Sequence, residues 1–463
     1  MTATMKKARV FYFGTGGIAL LLLALLSVGP TSDAFGQTIN AGDVLTLKAA
    51  IEISLKNHPT IEAQQGQVLA GEARIGQAWG DFYPRLSLGG AYTRISPVDA
   101  GTSSTTSNAG LPPGSSNIPT GTAGPYDQYA ASGNVNQMIF DFGKSWAQVK
   151  AQKLSTQAAR HDLQATRSQI VAGVKEAYYS LLSAEHNKKV VEEKVDQFKK
   201  HLKYARALYL VGSKSRLDVT KAEVDVSNAQ VDLIKAENGL RYFRLSLNNA
   251  MGLPNAPAYS IEEDLSSAMP DLTFEQALET AYNHRADLLS LQKQKESTEQ
   301  SLKAAQRAHY PIVSANANYM YVGTESPLDQ GWAAGVTLSV PIFSGFTTSY
   351  KVAEYKANLT TISARIREMK QKIALEVEQG FLALRESSER RQSTEVAVRQ
   401  AKENMDLANE RYKAGLVIGV EVTDAIFTYA NAQFSNISAK YDHKIALARI
   451  EMAMGSPLAD GKP

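Results

Sequence analysis

The 463-residue chain contains no cysteine. That absence excludes disulfides, thiolate metal sites and a lipid-modified cysteine at a mature N-terminus. Histidine is scarce, with seven in the chain and no HExxH pair, so zinc-hydrolase chemistry finds no foothold. A phosphate-cradling loop is missing too: Gly14-Thr15-Gly16-Gly17 lies beside the N-terminal apolar run, and Gly212-Ser213-Lys214-Ser215 lacks the earlier glycine. No catalytic, cofactor-binding or metal-binding residues are expected, and an enzyme is not. An excess of one charge is also lacking. Forty-nine basic and 46 acidic residues leave a formal +3, too little over this length to indicate a nucleic-acid partner. Long hydrophobic runs are absent as well, and a mean hydropathy of −0.24 argues against a bundle of membrane-spanning helices.

One short apolar run stands at the N-terminus. Lys6, Lys7 and Arg9 precede Ile18 to Leu26, Gly29-Pro30 breaks the helix, and Ala34-Phe35-Gly36 puts small residues where a signal peptidase reads. The pattern predicts a signal peptide over 1–36, cleaved near Gln37 and exporting the chain, because an anchor needs a run about twice as long.

What is present in abundance is self-similarity. Tyr83-Pro84 and Tyr310-Pro311 stand at an offset of 227 positions, with Leu86, Leu88 and Tyr92 opposite Val313, Ala315 and Tyr319. Further on the offset is 203: Phe140 meets Phe343, Gly212 meets Gly415, Asn228-Ala229-Gln230 meets Asn431-Ala432-Gln433, and Met251-Gly252 meets Met454-Gly455. This predicts one supersecondary unit used twice and buried against its copy. The first repeat is placed at 37–254, a linker at 255–270, and the second repeat with a short tail at 271–463. The change of offset, 24 positions, falls in 96–125. That stretch is rich in Ser, Thr, Gly, Pro and Asn with the single charge Asp99. It reads as a long outer loop of a strand hairpin.

Each repeat opens with a helical stripe, Leu47, Ala50, Ile51, Ser54 and Leu55 in one and Phe274, Ala277, Leu278, Ala281 and Tyr282 in the other. After each Tyr-Pro, which stops a helix, the period becomes 2. Val313, Ala315, Ala317, Tyr319 and Tyr321 alternate with Ser314, Asn316, Asn318 and Met320. Trp332, Ala334, Val336, Leu338 and Val340 form the returning face, and Val135 and Ile139 alternate with Asn134 and Asn136 in the first repeat. Strands of about ten residues, apolar on one face and small-polar on the other, suit a transmembrane barrel. A soluble hairpin on a core is the alternative for any one strand. Aromatic residues near the strand ends, Tyr83, Tyr92, Tyr129, Tyr310, Tyr319 and Trp332, favour the membrane. Four strands cannot close alone in lipid, so partner chains are required; the polar inner face favours a wide lumen and three copies.

From Lys144 to Val211 there is no proline and only Gly173 as an interior glycine, predicting a helix of roughly 100 Å. Val191, Val195, Phe198, Leu202, Ala205 and Tyr209 step as a coiled-coil seam, matched by Val398, Ala401, Met405, Ala408 and Tyr412. Each seam ends in a glycine turn, Val211-Gly212-Ser213 or Ala414-Gly415-Leu416, from which a second helix returns.

With this order, the chain resembles the TolC-like outer-membrane efflux and secretion channels. The resemblance rests on the doubled Tyr-Pro, on Ile342-Phe343-Ser344-Gly345 with its counterpart Ile139-Phe140-Asp141-Phe142-Gly143, and on the tips at 209–219 and 412–422. It implies a mixed α and β membrane protein: a homotrimer with a 12-stranded barrel in the outer membrane, four strands per chain, continuous with a helical coiled-coil tunnel across the periplasm. Function would be that of a passive exit channel for a tripartite pump or type I secretion system, with a periplasmic adaptor, an inner-membrane pump and outer-membrane lipid as partners. A periplasmic coiled-coil scaffold with no pore is the alternative from another class.

The resemblance also carries residues. Glu421 and Asp424, three apart on one helix face, match acidic positions at the periplasmic constriction, where rings of carboxylates favour cations. As an ordinary helix start, the same acids would complement the N-terminal dipole. Tyr412 and Asp218 match other constriction positions. The position of a linking arginine in some members is Val417, so an arginine-centred lock does not carry over; Lys214 and Arg216 are candidates to replace it. Adaptor contacts are expected at Gly212, Ser213, Lys214 and Leu217, and at Gly415, Leu416, Val417, Ile418 and Val420. The second tip is unusually apolar for a solvent-facing turn. Its glycines also suit helix C-termini.

Overall fold

A computed structural model describes residue 40 and residues 42–95, 125–263 and 273–455. The expected signal peptide, nearly all of the expected outer loop, the stretch 264–272 and the chain's last residues lie outside the described residues.

Two short helices, α1 (Leu47–Asn57) and α2 (Pro59–Trp79), lead into a sheet. Thr46 caps α1, and Pro59 opens α2, where a missing N–H costs nothing. A 3-10 turn over Gly80–Phe82 brings the chain to Tyr83-Pro84 and β2 (Arg85–Ile95). β2 pairs antiparallel with β3 (Tyr126–Phe140). The second run repeats this order with α5 (Phe274–His284), α6 (Ala286–Arg307), β5 (Ile312–Gly323) and β6 (Asp329–Ser339). The sheet order is β2-β3-β5-β6, all antiparallel, which leaves β2 and β6 as edges.

The register sorts the faces as the alternation demands. Leu86 pairs Val135, Val135 pairs Ala317 and Ala317 pairs Ala334, one row of an apolar face. Leu88, Gly133, Tyr319 and Trp332 make the next row, with Leu88 83% and Trp332 77% exposed. The opposite face carries Ser87, Asn134, Asn318 and Ala333, and Thr337 donates to Asn316 there at 3.2 Å. One irregularity lies between Met138 and Phe140. The extra residue places Phe140 opposite Val313, on the apolar face.

Below the sheet run α3 (Lys144–Leu210) and α7 (Thr347–Lys413), each of 67 residues, or about 100 Å at 1.5 Å per residue. Asp141 starts α3 by accepting from the Gly143 and Ser145 amides at 3.0 and 2.6 Å. The return helices are α4 (Arg216–Ala250) and α8 (Gly419–Met454). Near the sheet, α2 and α6 pack on α3, and α6 also packs on α7; toward the tips α4 packs on α3, and α8 packs on both α3 and α7. Four helices therefore lie side by side at each level, α2-α3-α6-α7 above and α4-α3-α8-α7 below. Among the described residues no helix is long and apolar enough to cross a membrane.

A strap crosses the middle. In the stretch expected as a linker, β4 (Ser260–Ile261) pairs parallel with β1 (Val44–Leu45). The buried Tyr178 hydroxyl lies 3.0 Å from the Leu45 carbonyl and 2.6 Å from that of Glu262. Tyr259 donates to Asn248 at 2.6 Å, and Glu263 accepts from Lys440 and from Tyr441.

Candidate functional site

The two tips lie at the end of the helical layer farthest in sequence from the strands. Each ends its long helix in the same way. Gly212 and Gly415 have φ of +76° and +77°, which only glycine adopts cheaply. Ser213 N–H donates to the Leu208 carbonyl and Leu416 N–H to that of Arg411, both at 2.9 Å, while the glycine amides bond Tyr209 and Tyr412 at 3.0 Å. These pairs close two Schellman turns. The return helix α4 then starts on a capping box, the Ser215 hydroxyl and amide donating to Asp218 at 2.8 and 3.1 Å. The Ser215 hydroxyl bond holds the Asp218 carboxyl below the usual carboxylate range.

The expected site residues separate into two groups. Glu421 and Asp424 lie on the exposed side of α8, whose other side buries Val422, Ala425 and Ile426. Tyr412 is instead 1% exposed. It packs in a core with Phe198, Met405, Val417 and Ile426, so its ring is covered within a single chain. Burial, aided by the Asp218 charge, raises its phenol above the ordinary value.

The tip surface expected to meet a partner needs one correction. Leu217, Leu416, Ile418 and Val420 are exposed, as are Ser213 and the two glycines. Val417 is not: it is 5% exposed and packs into the core beneath. A turn this short carries no period to show which residue faces inward; Val417 turns in because it caps the Tyr412 and Ile426 cluster. Its backbone still reaches the other tip, for Lys214 Nζ donates to the Val417 carbonyl at 3.0 Å. The same ammonium stands 5.4 Å from the Tyr412 ring centroid, a cation–π distance. Lys214 thus ties the first tip to the position that lacks an arginine, whereas Arg216 is exposed.

Three further residues hold the tips together. His201 on α3 is 3% exposed, with its ring centroid 4.7 Å from that of Tyr412. Gly419 fits beneath both rings: a Cβ there would stand 3.6 Å from His201 Nε2 and 3.8 Å from Tyr412 Cε2. Asp225 on α4 accepts from Thr423 at 2.9 Å, joining the two return helices. Burial, not residue type, marks His201 as part of the seam. Lys194, Phe198, His201 and Ala205 step by four, three and four and are all buried, so the seam runs through His201 beside Leu202.

The model of the outer membrane efflux protein family matches residues 50–253 and 277–456. Outer membrane protein TolC of Vibrio cholerae is 20% identical over 339 residues, 71% of this chain and 77% of that protein. The probable efflux pump outer membrane protein TtgC of Pseudomonas putida is 24% identical over 434 residues, 88% of this chain and 82% of that protein. The fold is similar to the crystal structure of outer membrane protein VceC from Vibrio cholerae, with a TM-score of 0.75 at 22% identity, covering 88% of this chain and 96% of that one.

Proposed function

The chain belongs to the outer membrane efflux protein family, channels rather than enzymes, and we propose that three copies form one passive exit duct for an efflux pump. The observation that carries this reading is the four-stranded sheet: it has one exposed apolar face and two unpaired edges, and it is continuous with 67-residue helices. Strands of 11 to 15 residues are long enough to cross a bilayer when tilted, and open edges are not tolerated there. Twelve strands leave a wet lumen lined by the small-polar face, whereas eight would be filled by side chains.

The edges support closure head to tail. β2, α2 and α4 lie on one flank of the chain, β6 and α7 on the other. On α4, Leu217, Val224, Val231 and Leu245 are exposed at multiples of seven, as are Leu375, Leu382 and Val396 on α7. Two unpartnered heptad seams on opposite flanks are what a ring of identical chains needs. Four helices per chain at each level then make a 12-helix tunnel. The matched order and lengths of the two runs of elements support an internal duplication.

At the tips, Glu421 and Asp424 would supply two rings of three carboxylates to the constriction, with Tyr412 and Asp218 supporting its wall. Exposed Leu217, Leu416, Ile418 and Val420, beside Gly212, Ser213 and Gly415, offer the surface for a periplasmic adaptor, through which an inner-membrane pump supplies cargo and energy. The test is conductance. Detergent-solubilised trimers should insert into planar bilayers and carry current; a water-soluble protein with no conductance would establish the scaffold instead.

A further inference from the structure

Four segments of the tips converge on one buried imidazole. His201 comes from α3 and Tyr412 from the end of α7; the α8 backbone at Gly419 lies beneath them, and Lys214 spans from the first tip to Val417. Among the described residues, His201 Nδ1 and the Tyr412 hydroxyl are both buried without a hydrogen-bond partner. The pair fills space and excludes water, but it gives the ring nitrogen no hydrogen-bond acceptor to offset the loss of water from a charged imidazolium. Among the described residues, the groups that face the pair come from four elements. Asp218 and Asp225 act on His201 from α4; Lys214 stands over Tyr412 from the first tip; α7 presents the Tyr412 phenol; and the second tip and the start of α8 present Val417 and Gly419, which carry no charge.

We propose that His201 is an acid-sensitive clasp: neutral, it holds the two tips together, and taking up a proton it releases them. The proposal rests on the tips being the periplasmic end of the channel. Burial outweighs the pull of Asp225 and Asp218 and holds the His201 pKa below its ordinary value. A released tip exposes the ring to water and returns it to an ordinary pKa of about 6.5. The closed arrangement is therefore fully favoured above that pH and loses ground as the pH falls through it, since the released form binds the proton first. The periplasmic end of the duct would widen on acidification, through a group distinct from the carboxylates of Glu421 and Asp424.

Hydrogen exchange read by mass spectrometry on the purified trimer tests this, with rates corrected for intrinsic exchange. Between about pH 7.5 and pH 5.5, protection of segments 205–222 and 408–425 should fall about tenfold in the native protein. His201→Phe keeps a ring in place and removes the proton site, so its protection should hold; Tyr412→Phe should respond like the native chain. Constant protection in the native trimer, or an equal fall in His201→Phe, overturns the clasp. Should His201→Phe fail to assemble, His201→Leu serves: it likewise fills the space with a side chain that takes up no proton, so its protection must hold, and a fall equal to the native one is equally fatal. Planar-bilayer conductance of the same sample separates the two ideas. Trimers that conduct while their tips ignore pH sink only the clasp, and trimers that never conduct sink the channel.

Discussion

Gly252 and Gly455 end the two return helices in the left-handed region, with φ of +73° and +63°. Each also meets backbone. A Cβ on Gly252 would lie 3.0 Å from the Asn57 carbonyl oxygen, and one on Gly455 only 2.8 Å from the Arg285 backbone. Both the torsion and the close approach require glycine, so Gly455→Ala should destabilise the folded chain by more than about 1 kcal/mol. Thermal unfolding of the purified protein would show this as a lower Tm, and an unchanged Tm would mean that the junction yields. Glu421 and Asp424 pose the opposite case, exposed side chains whose expected role is electrostatic. Three chains would bring six carboxylates to one constriction, where they attract multivalent cations. Glu421→Ala with Asp424→Ala should weaken block of the single-channel current by such cations and leave the fold intact. Undiminished block would place these acids off the conduction path.

At the scale of elements, what the sequence made legible and what it hid divide along periodicity. α3 and α7 were readable because nothing in 144–210 or 347–413 interrupts them, and their ends fall at Gly212 and Gly415. The strands were readable because one face is mainly apolar, with Arg94, Asp127 and Gln330 confined to the end away from the helices, and the alternation breaks at the bulge before Phe140. Hidden were features with no period. Two-residue strands such as β1 and β4 leave no pattern, and the inward turn of Val417 is decided by packing within a tip too short for one. His201 was hidden for another reason, since an ionisable residue one place from an apolar seam reads as its solvent side. The strap bearing β4 invites its own test. Tyr178→Phe removes a buried hydroxyl that serves the Leu45 and Glu262 carbonyls, at an expected cost of about 1–3 kcal/mol. Amides in 44–45 and 260–263 should then exchange faster than those of neighbouring α3. Its second tie has a different acid range from the tips. The Lys440 hydrogen bond holds the Glu263 carboxyl below the usual carboxylate range, so that tie persists at neutral pH and is lost only as the pH falls below about 4. The strap should therefore stay fastened across the interval in which His201 responds.

The whole molecule is defined by its two flanks. A closed two-fold dimer would bring like surfaces together, yet here the α4 flank and the α7 flank differ in both sequence and partners. The strands impose the same polarity, because β2 is the free edge on one flank and β6 on the other. Joined unlike flank to unlike flank, identical chains would be related by a single rotation, repeated until the ring closes. If the α4 seam forms the subunit contact, charge placed there must oppose assembly without touching the interior, since Val231 is 50% and Leu245 61% exposed in the single chain. Val231→Asp with Leu245→Asp is accordingly expected to convert trimers into monomers, measured by size-exclusion chromatography with light scattering in detergent. Helix content should be retained and conductance lost. Trimers of normal mass from this variant would show that the ring closes through other surfaces, and the head-to-tail arrangement would have to be abandoned.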